Sequence, residues 1–356
     1  MILTGLFLGA LLGYVLQRSR FCVTGAFRDI YLSRSTRYFT PFLLAILIQA
    51  VGLAILTSGG LLLPEAAEFA PAATIGGGLV FGVGIVLAGG CATGTYYRAG
   101  EGLVGSWIAL ITYALFAAIM KFGPLAGLTT AARGATVGEA TLPATLGISV
   151  WIPILALAVG VGLLIRRELR VQRSRPRPAA LPPRRTGLGH LLADKAWSPW
   201  TGGILVGLLG LLAWPLSIAA GRNGGLGITT PSAKIVAFLA GGDLTLVDWS
   251  VMLVLGILGG SFVAAKLSGE FRWRVPDAAT LGRSAVGGTL MGVGAALAGG
   301  CTIGNALVET ALFSWQGWVS FAAMLVGTWA ATWFVLVRPQ HAAADRPAPS
   351  LVATSS

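Results

Sequence analysis

The chain has little charge, still less acid, two histidines and three cysteines, and each shortage removes a class of function. Charged residues make up 11% of its 356 residues, against about 25% in a soluble domain, so most of the chain cannot face water. His190 and His341 lie in polar segments, which leaves the apolar body without the imidazoles of a haem or histidine metal site. Neither a metal nor any other cofactor is expected. Cys22, Cys91 and Cys301 are an odd number with no C-x-x-C among them. That argues against a disulfide framework and against a thiol oxidoreductase with a resolving pair, so an enzyme is not the expectation. Carboxylates are almost missing from the apolar stretches, and Glu101 and Glu309, each a short way past a cysteine, are the two candidates. Cation-coupled transport usually rests on buried acids and has little to work with here.

What is present is hydrophobe: 55% of the chain, with a mean hydropathy of +0.80. Runs such as Phe42–Leu56, Trp107–Met120, Ser149–Ile165 and Phe321–Val337 approach the ~20 residues that cross a bilayer. The expected fold is an all-α polytopic membrane protein of about nine spans. They centre on Ile2–Leu16, Phe39–Thr57, Ile75–Gly90, Leu103–Met120, Ser149–Ile165, Gly202–Ala220, Ser250–Lys266, Val286–Gly300 and Trp318–Val337. The opening "ILTGLFLGALLGYVL" lacks a basic n-region and a cleavage signature, and reads as a retained first span. The net charge of +12 does not point to nucleic acid, because the arginines gather in short loops beside spans, which mark the cytoplasmic side. Residues 166–200 form the largest such segment, a basic Pro/Arg-rich linker. Counting outward from it places the N-terminus outside and the C-terminus in the cytoplasm of a bacterial inner membrane. Lys121, Arg133 and Arg222 then fall on the outer side, against the rule. The expected organisation is a first membrane repeat at 1–165, the linker at 166–200, a second repeat at 201–338 and a disordered tail at 339–356.

The two halves share sequence. "TGLFLGALLG" at 4–13 resembles "TGGILVGLLG" at 201–210, and "GLVFGVGIVLAGGCATG" at 78–94 resembles "GTLMGVGAALAGGCTIG" at 288–304. An odd number of spans in the first half makes the second copy enter from the opposite face, giving an inverted repeat with a site near the midplane. In each copy a Gly-Gly pair ends the helix and leaves Cys91 or Cys301 on non-helical backbone at membrane depth. Such backbone is tolerated only where it is buried in protein or lines a cavity. A free cysteine is often a small buried hydrophobe, yet these stand at breaks in the apolar pattern. Around them lie Gly90, Thr93, Gly94, Thr95, Tyr96, Arg98, Glu101, Gly300, Thr302, Gly304 and Asn305. Donors in excess of acids suit a small anion held by helix N-termini and backbone amides.

Three segments carry a resemblance to a known family: "RSRFCVTGAFRD" at 18–29, "GVGIVLAGGCATGTYYRAGEG" at 82–102 and "GVGAALAGGCTIGNALVETALFSWQGW" at 292–318. The chain resembles the YeeE/YedE family of sulfur-compound transporters from residue 1 to about 338, linker and tail excepted. The resemblance implies an hourglass of inverted pseudo-symmetric halves whose short helices and loops meet in the middle. It implies thiosulfate, or a related small inorganic sulfur anion, as substrate, and matches Cys22, Cys91 and Cys301 to the family's relay thiols. A small cytosolic TusA-like sulfur carrier is the implied partner. Two departures stand out: "AAGRNGGLGITTPSAK" in the second half offers no thiol opposite Cys22, and Asn305 stands where a histidine is expected in some thiosulfate-type members. Because other branches are linked to selenium, a selenium-compound transporter is the nearer alternative, and a thiol oxidoreductase or an ungated channel the more distant ones. Neutral thiols are weak donors that could hand on a sulfur anion without trapping it, so they are expected to be protonated at rest.

Overall fold

A computed structural model describes residues 2–173 and 186–338. The middle of the basic linker, 174–185, and the expected tail, 339–356, lie outside the described residues. Helices account for the architecture, and the only β-type pairings among the described residues are two isolated bridges, Leu103 with Arg274 and Thr141 with Ser314.

The first half begins with α1 (Leu3–Ser19), which stops where Arg20 turns left-handed at φ 52° and Cys22 is extended. Cys22 then opens α2 (Val23–Ser33). The apolar α3 (Phe39–Ser58) runs unbroken, and α4 (Pro71–Leu87) follows with proline at its first turn, where a missing N–H costs nothing. Gly89, at φ 70°, ends that run in a conformation that favours glycine. Cys91 caps the short α5 (Ala92–Gly100), and α6 (Val104–Lys121) returns across the body. Two short helices, α7 (Ala126–Gly134) and α8 (Leu142–Leu146), lead to α9 (Trp151–Arg173). That helix continues past Ile165 into the sequence expected as linker, because nothing in "RRELRVQR" breaks a helix.

After a single helical turn, α10 (Gly187–Gly189), the second half repeats the succession. It comprises α11 (Pro199–Ala219), the shorter α12 (Thr229–Gly241), α13 (Trp249–Leu267), α14 (Ala278–Ala298), the π-helical turn Gly304–Glu309 and α15 (Trp315–Thr332). Gly299, at φ 81°, breaks the chain as Gly89 does. Packing between halves is reciprocal: α1 lies on α13 as α11 lies on α3, α4 on α15 as α14 on α6, and α2 on α15 as α12 on α6. At the centre α4 meets α14 closely enough that a Cβ on Gly84 would lie 2.7 Å from the Met291 nitrogen, a small-residue contact of the kind that brings membrane helices together.

Among the described residues, seven segments are long and apolar enough to cross a membrane, including Leu3–Ser33 and Pro71–Gly100, each of which contains one of the cysteine breaks. The chain is an all-α polytopic membrane protein. Long helices stand at all nine expected positions, but α9 and α14 fall outside the seven. Arg166, Arg167 and Glu168 crowd the end of α9, while α14 is built largely of Gly, Ala, Ser and Thr.

Candidate functional site

The two ends of the molecule differ in what they hold. At the end bearing the linker, Arg18 donates to the Lys195 carbonyl at 2.6 Å. Opposite, beyond α6 and α11, a cavity of about 220 Å³ opens, lined by Arg133, Arg222, Thr229, Cys301, Gly304, Asn305 and Glu309 among others.

From that cavity inward, the three expected thiols fall in sequence. Cys301, fully buried from solvent, lines the cavity wall, and Tyr113, whose hydroxyl donates to Thr229 at 2.9 Å, stands against its thiol. The next residue, Thr302, turns its hydroxyl toward Cys91 in the other half. The Cys91 sulfur accepts from the Gly94 N–H at 3.4 Å, as the cap of α5. Cys22 and Cys91 meet over Gly94: a Cβ there would lie 3.4 Å from one sulfur and 3.5 Å from the other. Thr24, Thr93 and Thr302 are buried, and their hydroxyls have no hydrogen-bond partner among the described residues. An unmet buried polar group costs about 1–3 kcal/mol, a cost that a polar guest beside these hydroxyls would offset.

The remaining expected residues have distinct roles. Arg98 lies beside the Cys22–Cys91 pair, donates to the Gly89 carbonyl and packs on the Tyr97 ring 5.7 Å away. It also lines a second cavity of about 280 Å³, shared with Gly89, Arg274 and Ser284. Gly90 is buried beside the Arg98 guanidinium. Glu101 does not join the thiols. It is buried at the linker end, bonded to Arg20 at 2.6 Å with Arg274 at 3.9 Å. Burial pushes its carboxyl above the usual range, and Arg20 opposes that shift.

Asn305 is the hub of the Cys301 loop. Its amide nitrogen is shared among the Ala298 carbonyl at 2.8 Å, the Gly300 carbonyl at 3.1 Å and the Ser320 hydroxyl at 3.0 Å. Its oxygen accepts from Gln316 at 3.1 Å, and Gln316 accepts from Arg133 at 2.9 Å. A neutral histidine has one donor and one acceptor and could not make all of these bonds, so asparagine here is a structural choice.

Sequence reasoning did not assign Arg133, Arg222, Gln316, Trp214 or Tyr113 to the site. Two of them had a signal: Arg133 and Arg222 are outliers from the charge asymmetry, and the structure puts both on the cavity wall. Burial lowers both guanidinium pKa values, yet arginine remains charged near neutral pH. Arg133 and Arg222 share the cavity with the acids Glu65 and Glu309 and with Cys301, so an anion there meets cationic and soft partners.

A family model described as sulphur transport matches residues 18–330. The chain belongs to that family. It is 51% identical over 344 residues to the thiosulfate transporter TsuA of Escherichia coli K12, covering 96% of this chain and 97% of that protein. It is 32% identical to the protein of the same name from Spirochaeta thermophila, covering 95% of this chain and 100% of that one. A shorter match, 40% identical over 95 residues, joins it to the probable transporter YedE of Escherichia coli K12, covering 27% and 23% of the two chains.

Proposed function

We propose that the chain is an inner-membrane importer of thiosulfate, working as an inverted pair of repeats with the N-terminus outside. The observation that carries this reading is the order of the thiols: Cys301 on the cavity with Arg133 and Arg222, Cys91 behind Thr302, and Cys22 against Cys91. The cavity with Arg133 and Arg222 is then the outer mouth, and the linker end with Arg98 and Arg274 the cytoplasmic one. Reciprocal packing of corresponding helices is what a two-fold relation between halves produces, and it supports repeats bounded near 1–165 and 201–338.

The anion is drawn in by the two outer arginines and offered S–H and O–H donors along the path. Protonated thiols serve best, because a thiolate would repel a dianion at close range. Three unmet threonine hydroxyls gain partners as the anion passes. Gly90, Gly94, Gly300 and Gly304 keep the path open by lacking side chains, and Arg98 supplies a cation beside the inner thiol pair. A TusA-like sulfur carrier fits as the receiver at the cytoplasmic end, and exposed arginines there, Arg34 and Arg274 among them, would suit an acidic face.

The test is thiosulfate uptake by cells carrying the chain as their single route. Cys91→Ala and Cys301→Ala should abolish import while the proteins remain in the membrane, and undiminished import by both would reject the thiol path. A thiol oxidoreductase draws support from one observation, the meeting of Cys22 and Cys91 despite their separation in sequence. That reading demands a Cys22–Cys91 disulfide during turnover, which mass spectrometry of trapped protein detects.

A further inference from the structure

A carboxylate follows each cysteine break, Glu101 after Cys91 and Glu309 after Cys301. Their surroundings are opposite. Glu101 is fully buried and ion-paired with Arg20, so its charge is matched. Glu309, the last residue of the π-helical turn, is half-buried on the wall of the outer cavity. Among the described residues it makes no ion pair within 4.0 Å. Its oxygen Oε2 accepts from the Ala67 N–H at 3.2 Å, and the Ser314 hydroxyl also bonds the carboxyl.

We propose that Glu309 is a proton-binding site coupled to the anion, so that the outer cavity takes up a proton when it takes up thiosulfate. The inference rests on the reading of the chain as a thiosulfate importer and names what accompanies the anion. Its basis is geometric: a carboxylate without a bonded cation shares a small cavity with the place where a dianion must sit. Two negative groups in one partly desolvated site repel, and protonating the carboxylate removes that repulsion. By linkage, binding the dianion raises the proton affinity of Glu309, and binding the proton raises the affinity for the dianion by the same factor.

The charged groups that face Glu309 come from three elements. Arg133 comes from α7, Glu65 and Glu68 from the loop before α4, and Arg222 from the loop after α11. From α15 and its cap come only the neutral Gln316 and Ser314. Burial already pushes the Glu309 carboxyl above its ordinary value, against the hydrogen bonds from Ser314 and Ala67 and the field of Arg133. The sign follows. Affinity for thiosulfate is low and flat above the pKa of the occupied site, rises as pH falls, and levels off below the pKa of the empty site. Thiosulfate stays a dianion throughout that window, so the slope belongs to the protein.

The experiment is titration calorimetry of the full chain in detergent with sodium thiosulfate, across pH 5.5–8 and in buffers of different ionisation heat. Wild-type protein should take up a fraction of a proton per anion bound and gain affinity three- to tenfold per unit fall in pH, tenfold being the limit for one proton. Glu309→Gln should flatten that slope, and Glu309→Asp should keep it. If Glu309→Gln does not fold, the proton count on wild-type protein still decides. Binding without proton uptake, or a slope unchanged in Glu309→Gln, overturns the inference and leaves thiosulfate import standing. Failure of wild-type protein to bind thiosulfate at every pH removes both.

Discussion

The breaks after α4 and after α14 are the same backbone device filled with different chemistry. Both end a helix at a left-handed glycine, Gly89 or Gly299, and present a thiol two residues on. In the first half that thiol meets a second one, Cys22, and the nearby acid is sealed by Arg20. In the second half the position opposite Cys22, the cap of α12, is Ile228. There the thiol lines the cavity that holds Arg133 and Arg222, and among the described residues the nearby acid, Glu309, has no cation within 4.0 Å. The same scaffold appears twice, and the copies differ in the groups that surround each thiol.

The sharpest way to break that comparison is to move Cys22, the thiol with no counterpart in the second half. Cys22→Ala should reduce thiosulfate uptake on the order of a hundredfold, about 2.7 kcal/mol of lost barrier lowering. Ile228→Cys adds a thiol at the matching place in the second half. If position relative to the exit matters, the double variant Cys22→Ala/Ile228→Cys stays as poor as Cys22→Ala, whereas recovery of uptake would show that only the number of thiols counts.

A smaller effect is expected from unsealing the inner acid. Arg20→Ala strips Glu101 of its bonded cation and leaves a buried carboxylate that must protonate or draw in water. Removing one partner of a buried pair costs about 3–5 kcal/mol, but Arg20 is 46% exposed, so roughly 2 kcal/mol is the expectation. Thermal unfolding in detergent checks it. Arg20→Ala/Glu101→Gln should recover most of the loss, because the orphaned charge is then gone.

Much of this was legible in the sequence. Apolar run lengths placed the long helices, and Gly-Gly pairs placed the breaks, because helix length and helix termination are local properties. The juxtaposition of Cys22 with Cys91 was not legible, since it depends on how α1, α2 and α5 pack. Nor was the pairing of Glu101 with Arg20, which turns on one left-handed residue at the end of α1. Arg133 and Arg222 were visible as exceptions to the charge rule, but only the fold shows that they share a cavity with Cys301. Asn305 stands where histidine is expected in some thiosulfate-type members, and its reason appears only when its four partners do.

The mildest change concerns Arg133, which reaches the site through Gln316 and the Leu297 carbonyl, 3.3 Å away. Arg133→Gln removes one charge-assisted contact to an incoming anion, worth about 1.5–3 kcal/mol at full strength. Arg222 remains and solvent reaches the cavity, so a rise of about tenfold in KM with the maximal rate held is expected in an uptake assay. The variant also tests the contrast between the two acids. Arg133 favours the charged form of Glu309, so its loss lifts the carboxyl pKa further. Any pH dependence of uptake should therefore move toward alkaline pH in Arg133→Gln. An unchanged pH dependence would mean that Glu309 does not sense Arg133, and that the outer acid is insulated from the cavity's cations.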